Sequence, residues 1–170
     1  MDESISSLIR ALSDPDIEKR HAAEDAIVSM GEGAIMPLIE VLAGDGTESF
    51  RWYVARILAR IGVTAIKPLI MTMVVNDDPV FRRYAAAALG SMGETAVEPL
   101  IAVFSSEDRE LRGFAMLALC RIGKPAIESL KRLSACDDDV LKSCASLTLW
   151  KMGEEGIGGL VESIEQEETT

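Results

Sequence analysis

DPVFRRYAAAALGSMG (residues 78–93), followed at once by ETAVEPLI (94–101), is the stretch that decides the fold. Its last glycine recurs at intervals of 31, 31, 30 and 30 residues, at Gly31, Gly62, Gly93, Gly123 and Gly153. Each of these glycines follows a Met or Ile, and a small residue and a branched aliphatic residue come three and four positions later. A fixed period of this length is typical of a stacked array of structural repeats.

The pattern around each glycine predicts two helices per repeat. With the glycine numbered zero, positions −12, −8, −5, −4 and −1 fall on one stripe of an α-helix. The glycine ends this longer helix, because it can adopt the left-handed conformation. A shorter helix follows, with a proline in its first turn, at Pro37, Pro68 and Pro99.

The repeat pattern predicts an all-α, right-handed superhelix of five two-helix repeats plus a C-terminal capping helix at 154–166. We expect a single domain, 1–170, with repeats at about 1–31, 32–62, 63–93, 94–123 and 124–153. The shorter helices are predicted near 3–12, 32–43, 63–75, 94–105, 124–134 and 154–166. The longer helices are predicted near 15–30, 47–61, 78–92, 108–122 and 138–152.

Charge and composition narrow the range of partners. The net charge of −11 argues against nucleic acid, because duplex-binding proteins usually carry a basic footprint. Cys120, Cys136 and Cys144 do not resemble a disulfide framework and favour a reducing compartment. The first residues show no signal peptide, and no apolar run approaches the ~18 residues of a membrane span. We therefore expect a cytoplasmic protein without a membrane partner.

The stretch 78–93, together with 96–101, resembles a HEAT-like repeat of the phycobilisome-lyase type. The resemblance covers nearly the whole chain and implies a fold of stacked helix pairs. Proteins sharing it include chromophore lyases, deoxyhypusine hydroxylases, alkylpurine DNA glycosylases and many scaffolds. Because one fold hosts many functions, the resemblance does not by itself imply one of them.

Two columns of charged residues precede the glycines. Aspartates stand at −15 in four repeats and cations at −11 in all five: Asp16, Asp78, Asp108, Asp138, Arg20, Arg51, Arg82, Arg112 and Lys142. They could form a row of anion sites. They could instead pair at i,i+4 along a helix, or form a ladder in which each Arg bridges to the next repeat's loop. The resemblance implies a ladder that belongs to the stacking of the repeats, so the structural interpretation is favoured.

The sequence predicts no catalytic residue, metal site or cofactor. His21 is the only histidine, so the ligands of a hydroxylase-type di-iron centre are missing, and no nucleophile signature accompanies it. The run 137–139 lacks the glycine and the bidentate Glu of an EF-hand loop. The cysteines form no CxxC pair and adjoin no basic cluster that would lower a thiol pKa.

The face of the longer helices that points away from the core carries aromatic residues and arginines where water would favour Glu and Lys. The predicted partner-binding residues are Trp52, Tyr53, Arg56, Arg83, Tyr84, Phe114, Leu117 and Arg121. Their composition is that of an interface hot spot, and we expect a locally basic, aromatic groove. Resemblance to HEAT-type solenoids implies that it lines the concave side. Alternatively, the residues at −9, Tyr53, Tyr84 and Phe114, pack between neighbouring long helices.

We therefore expect a non-catalytic protein–protein interaction or scaffold module that holds an acidic or aliphatic protein segment on its concave face. One alternative is a subunit of a bilin lyase that binds a linear tetrapyrrole through aromatic residues and Arg–carboxylate pairs. The other is a nucleic-acid-binding protein, which the charge of −11 disfavours. The sequence does not indicate an oligomeric state.

Overall fold

The computed structural model describes residues 3–159 and 161, and every regular element in this part of the chain is helical. The α-helices are α1 (Glu3–Ala11), α2 (Ile17–Ser29), α3 (Glu32–Ala43), α4 (Glu48–Ile61), α5 (Ile66–Val75), α6 (Pro79–Ser91), α7 (Val97–Ala102), α8 (Arg109–Ile122), α9 (Ile127–Ser134) and α10 (Asp139–Lys151). Residues 154–159 and 161 are also helical, and the rest of the predicted capping helix lies outside the described residues. The predicted all-α class is confirmed.

The shorter helices are less regular than predicted. Short 3-10 turns flank three of them, at Val63–Ala65, Gly93–Ala96, Val103–Ser105 and Lys124–Ala126. Pro68 and Pro99 lie in the first turns of α5 and α7, as predicted. Pro37 does not, because α3 begins directly after Gly31 without a 3-10 turn, which places this proline inside the helix.

The repeating glycines hold a backbone conformation that other residues avoid. All five have a positive φ, between 57° and 85°, as predicted. The ψ values differ from the prediction: they are −127°, −140° and −135° at Gly31, Gly62 and Gly123. These glycines therefore lie in the mirror image of the extended region rather than in the left-handed helical region. Only glycine enters that region readily, which accounts for its presence at each of these turns.

The two charged columns have separate structural roles. The aspartates cap the longer helices: for example, Asp108 Oδ1 accepts the backbone N–H groups of Glu110 and Leu111 at 2.9 and 3.0 Å. The arginines donate to carbonyls of the loop before their own helix, as Arg82 Nε does to Asn76 O at 2.9 Å. The bridge from each Arg to the next repeat's loop stays a prediction. A row of anion sites is ruled out at Arg82, which is 1% exposed.

The helices pack into two compact units, Met1–Ala88 and Leu89–Thr170. In the first unit α1 packs on α2 and α3 on α4, while successive long helices α2 and α4 also touch. The second unit repeats this arrangement, with α7 on α8, α9 on α10, and α8 against α10. The expectation of one domain over 1–170 stays a prediction.

The core of each unit comes from the predicted apolar stripe. Leu58 and Leu119, both at −4, are fully buried, and so are the small residues at −8 such as Ala85 and Ala115. Alanine at −8 lets neighbouring helices approach closely, because a larger side chain would hold them apart. The opposite face of each longer helix is left for other contacts.

Within the described residues, no single helix combines the length and the apolar character needed to cross a membrane. One helix pair, Glu48–Ile61 with Val63–Val75, meets the length and composition test together, but it is bent by 115°.

Candidate partner-binding surface

Four of the predicted residues form two pairs in the first unit. Trp52 on α4 is 47% exposed, and its ring centroid lies 6.4 Å from that of Tyr84 on α6, with the planes tilted by 59°. Tyr84 itself is 8% exposed, so it supports Trp52 by packing rather than by facing a partner. The guanidinium of Arg56 stands 4.6 Å from the ring centroid of half-buried Tyr53, in cation–π geometry. Arg83 is exposed.

A buried carboxylate organises the arginines of this unit. The side chain of Glu24 on α2 is only 5% exposed, and it accepts hydrogen bonds from Arg56 Nη2 and, at 2.8 Å, from Arg60 Nη1. Arg60 Nη2 also donates to Asp25 Oδ1 at 2.9 Å. Together with exposed His21, these residues line a polar recess of about 330 Å³. We call these ion pairs the Glu24 network.

The electrostatics of the Glu24 network favour the charged forms. Burial alone raises the pKa of Glu24, but the hydrogen bonds and charges of Arg60 and Arg56 outweigh burial and hold this pKa below its usual value. The hydrogen bonds to Glu24 and Asp25 in turn raise the pKa of Arg60. Glu24 and Arg60 therefore remain ionised at neutral pH, and the network persists.

The expectation of a locally basic groove is wrong for the first unit. Arg56 and Arg60 are offset by Glu24 and Asp25, so the positive charge that the arginine column indicates is largely neutralised. The sequence contained one indication that the arginines are paired within the chain. Position −7 is Glu24 in the first repeat but Ala55, Ala86, Met116 and Ser146 in the others. A carboxylate in a column of small or apolar residues indicates a buried partner.

In the second unit, α8 and α10 line an open groove of about 540 Å³. Its apolar wall includes the predicted residues Phe114 and Leu117, and also Met116, Cys144 and Leu147, which the predicted set omits. Leu117 and Leu147 are 51% and 46% exposed, whereas Met116 and Cys144 are buried. The charged side chains lining it are Arg109, Glu110, Arg112 and Lys151. We call this feature the α8–α10 groove.

The α8–α10 groove exists because position −10 is small in both helices. Gly113 on α8 and Ser143 on α10 occupy the column that holds Trp52 and Arg83 in the first unit. A Cβ atom built on Gly113 would meet nothing within 4 Å. The glycine therefore leaves open space over the helix rather than permitting a close contact.

Arg121, the last predicted residue, contacts the end of α6 instead of lining the groove. Its Nε donates to Ser91 Oγ at 3.1 Å. Its aliphatic portion lies across Gly90, where an added Cβ would be 2.7 Å from Arg121 Cδ. Gly90 thus permits the close approach that positions this arginine.

The predicted set therefore divides between the units. Trp52 with Tyr84 and Tyr53 with Arg56 form pairs in the first unit. Phe114 and Leu117 share the groove in the second unit, while Arg121 contacts Ser91. The alternative that the residues at −9 pack between helices fits Tyr84, which is buried, better than Tyr53 and Phe114, which are half-buried.

The described residues offer little for metal or thiol chemistry. Within 3–159 and 161, no group of three or more His, Cys, Asp and Glu side chains is arranged to hold a metal ion. Burial raises the pKa of the Cys120 thiol, although the charge of Lys151 lowers it in part. A thiol with a raised pKa is a poor nucleophile at neutral pH, because the thiolate is the reactive form.

The helix pairs match a known type of repeat. A family profile described as HEAT repeats matches residues 35–97 and 66–150, which together cover most of the chain. The chain belongs to the HEAT repeat family. The resemblance drawn from the glycine period is thus confirmed at the level of the repeat. No curated protein matches the chain.

Several solved structures are similar to this HEAT repeat chain. One is the complex of CpcE and CpcF of phycocyanin lyase from Nostoc sp. PCC7120, at 23% identity over 85% of this chain and 97% of that chain, with a TM-score of 0.42. Another is a computationally designed armadillo repeat protein for modular peptide recognition, at 15% identity over 98% and 92%, with a TM-score of 0.35. With TM-scores this low, neither similarity assigns a function or a binding site to this chain.

Proposed function

We propose that this chain is a non-catalytic binding module that holds a protein segment on the outward face of its longer helices, the face that the sequence predicts to be concave. The observation that carries the proposal is the exposure of Trp52, Leu117 and Leu147 on that face. The apolar stripe on the other side of each helix is already buried in its core. Large apolar side chains grouped at a surface are typical of interaction sites and hot spots.

The alternatives receive less support from the side-chain contacts. A tetrapyrrole carboxylate or a nucleic-acid phosphate would need arginines that can turn toward it. In the first unit Arg56 and Arg60 are already bound to Glu24 and Asp25. A protein segment does not depend on Arg56 and Arg60, because it can bury apolar surface on Trp52 and Leu117.

Affinity capture from the source cells' nuclease-treated extract tests the proposal. The baits are the wild type, Trp52→Ala, Leu117→Ala and, as a matched control, Met71→Ala, which removes a 59% exposed side chain from the short helix α5. Trp52 is preferable to Tyr84, because removing the buried tyrosine would also weaken the core.

We expect one or more proteins that the wild type and Met71→Ala recover equally and that Trp52→Ala or Leu117→Ala loses by about tenfold. Circular dichroism and thermal unfolding should be nearly unchanged in all four proteins. Equal recovery by all four baits, or losses confined to Met71→Ala, would contradict the proposal. Recovery of RNA or DNA fragments by a bait in untreated extract would favour the nucleic-acid alternative.

A further inference from the structure

We propose that the α8–α10 groove is an anchor site for an acidic peptide segment, which inserts a bulky apolar side chain beside Phe114, Leu117 and Leu147. The inference rests on the proposed function and deepens it, since it states where the partner is anchored and which chemistry it carries.

The groove has the size and lining of an anchor site. Its volume of about 540 Å³ falls within the range of about 300–1,000 Å³ typical of sites that bury a ligand. Leu117 on α8 and Leu147 on α10 both belong to that lining, and each residue is about half exposed. Covering them with an apolar side chain removes apolar area from water, which favours binding.

The charged residues of the groove favour an acidic occupant. Three cations, Arg109, Arg112 and Lys151, line it with a single carboxylate, Glu110. This local excess of positive charge stands in a chain whose net charge is −11. Electrostatic complementarity of this kind selects partners of opposite charge and excludes those of like charge.

The repeat register points to the same partner chemistry. In the first unit the cation at −2, Arg60, binds carboxylates at −7 and −6 of the preceding long helix, Glu24 and Asp25. In the second unit the cation at −2 of α10 is Lys151, and the preceding long helix, α8, carries Met116 and Leu117 at −7 and −6. At the same positions of the repeat, the first unit supplies its own acidic residues and the second supplies apolar residues. An acidic peptide with an apolar anchor would satisfy both kinds of group.

Gly113 makes a clean test available, because a side chain added there enters open space. Gly113→Trp would place at −10 the residue that Trp52 provides in the first unit, and it would fill the groove. Gly113→Ala is the matched control, since it adds one methyl group and leaves most of the groove open. Ser143→Trp fills the groove from α10 as a second, independent plug, because Ser143 also belongs to the groove lining.

The experiment selects random 12-residue peptides displayed on phage against the full chain, with counter-selection on Gly113→Trp. Enriched peptides are then synthesised with a fluorophore, and their dissociation constants are measured by fluorescence anisotropy at low and high salt. Each peptide is tested against the wild type, Gly113→Ala, Gly113→Trp, Ser143→Trp, Lys151→Glu, Leu117→Ala and Trp52→Ala. Thermal unfolding checks that every variant is folded.

We expect the enriched peptides to share Asp or Glu next to Leu, Phe or Trp. Either tryptophan plug should weaken binding at least about tenfold, Gly113→Ala by less than about twofold, and Lys151→Glu by about tenfold, less so at high salt. Peptides with no excess of acidic residues, or binding unaffected by both plugs, would overturn the inference. The inference would also be overturned if the selection enriched no peptide that binds the wild type better than Gly113→Trp.

The two levels of the proposal fail in different ways. Peptides that lose affinity with Trp52→Ala but not with either plug would overturn the groove inference and leave the binding-module proposal standing. Peptides insensitive to Trp52→Ala, Leu117→Ala and both plugs would contradict both. Tight binding of decanoate, a small apolar acid, without any enriched peptide would replace the peptide occupant by a small molecule.

Discussion

The faces formed by α2 and α4 in the first unit and by α8 and α10 in the second occupy the same register of the repeat and differ in chemistry. Positions −10, −7, −6 and −2 line a polar recess in the first unit, where Glu24 and Asp25 bind Arg56 and Arg60. The same positions in the second unit line an apolar groove with Leu117 and Leu147. The glycine period determines where the face lies, and a few side chains on it determine what it can bind.

The difference also shows how a repeat array separates stability from binding. The Glu24 network pairs its own charges, so the outward face of the long helices in the first unit keeps little positive charge for a partner beyond Arg83, and Trp52 is one of its exposed apolar residues. The second unit leaves apolar surface and cations exposed together. Exposed apolar patches of this kind mark interaction sites or promote aggregation.

Exchanging the residue at −7 should have the largest effect. Met116→Glu places a carboxylate where the side chain is buried, and we expect a loss of about 3 kcal/mol in the free energy of unfolding. Adding Leu147→Arg, at the position of Arg56, should restore more than about 1 kcal/mol, because it rebuilds the first unit's ion pair beside Lys151. Urea unfolding of the single and double variants measures both the loss of unfolding free energy and its recovery. If the effects of Met116→Glu and Leu147→Arg on the unfolding free energy simply add in the double variant, the two faces are not structurally equivalent.

Removing the native carboxylate should have the next largest effect. Glu24→Ala breaks hydrogen bonds to two arginines, and we expect a loss of about 2 kcal/mol, smaller than for a fully buried pair because Arg56 and Arg60 are half-exposed and can be hydrated. Asp25→Ala, on an exposed side chain, should cost less than about 1 kcal/mol. Urea unfolding of both variants is the measurement, and equal losses would show that burial of Glu24 is unimportant.

The contribution of Glu24 to the free energy of unfolding should decrease as the pH falls. Its pKa in the folded protein is lowered from the ordinary value of 4.5, so the stabilisation is fully present above pH 4.5 and is lost as pH falls through the lowered value. The difference in unfolding free energy between the wild type and Glu24→Gln should therefore shrink below pH 4.5. A difference that grows on acidification would contradict the ion pairing.

The smallest predicted effect concerns Gly113 and Gly90, two of the helical glycines of the second unit. Gly113→Ala should stabilise the chain by about 0.5–1 kcal/mol, because alanine is the better helix former and its Cβ meets open space. Gly90→Ala should destabilise, because its Cβ would lie 2.7 Å from Arg121 Cδ and 3.1 Å from Ala118 O. Thermal unfolding of both variants measures the contrast, and stabilisation by both would contradict the contact between Gly90 and Arg121.

Most of the fold could be predicted from the period alone. The glycines and the apolar stripe locate the longer helices, and α4 at Glu48–Ile61 lies within a residue of the predicted 47–61. What the pattern missed was local geometry. A 3-10 turn precedes α5, α7 and α9 but not α3, although Gly31 and Gly62 have similar φ and ψ values, and the period does not distinguish these two outcomes.

The candidate surface was predictable only in part, for a physical reason. Helical position indicates that Trp52 and Leu117 point away from the core, and both are exposed. Position does not indicate which neighbour a long side chain reaches, so the link from Arg56 to Glu24, 32 residues earlier, was missed. The burial of Tyr84 depends in the same way on Trp52, which packs against it.

Site-specific photo-crosslinking tests the central claim most directly. p-Benzoylphenylalanine would replace Trp52 or Leu117 on the longer helices, or Met71 on the short helix α5, and the full chain would be irradiated in extract of its source cells. The account predicts that the same polypeptide is crosslinked from at least one of the long-helix positions and is absent from the Met71 sample. Equal crosslinking from Met71, or crosslinking from Met71 alone, would contradict it.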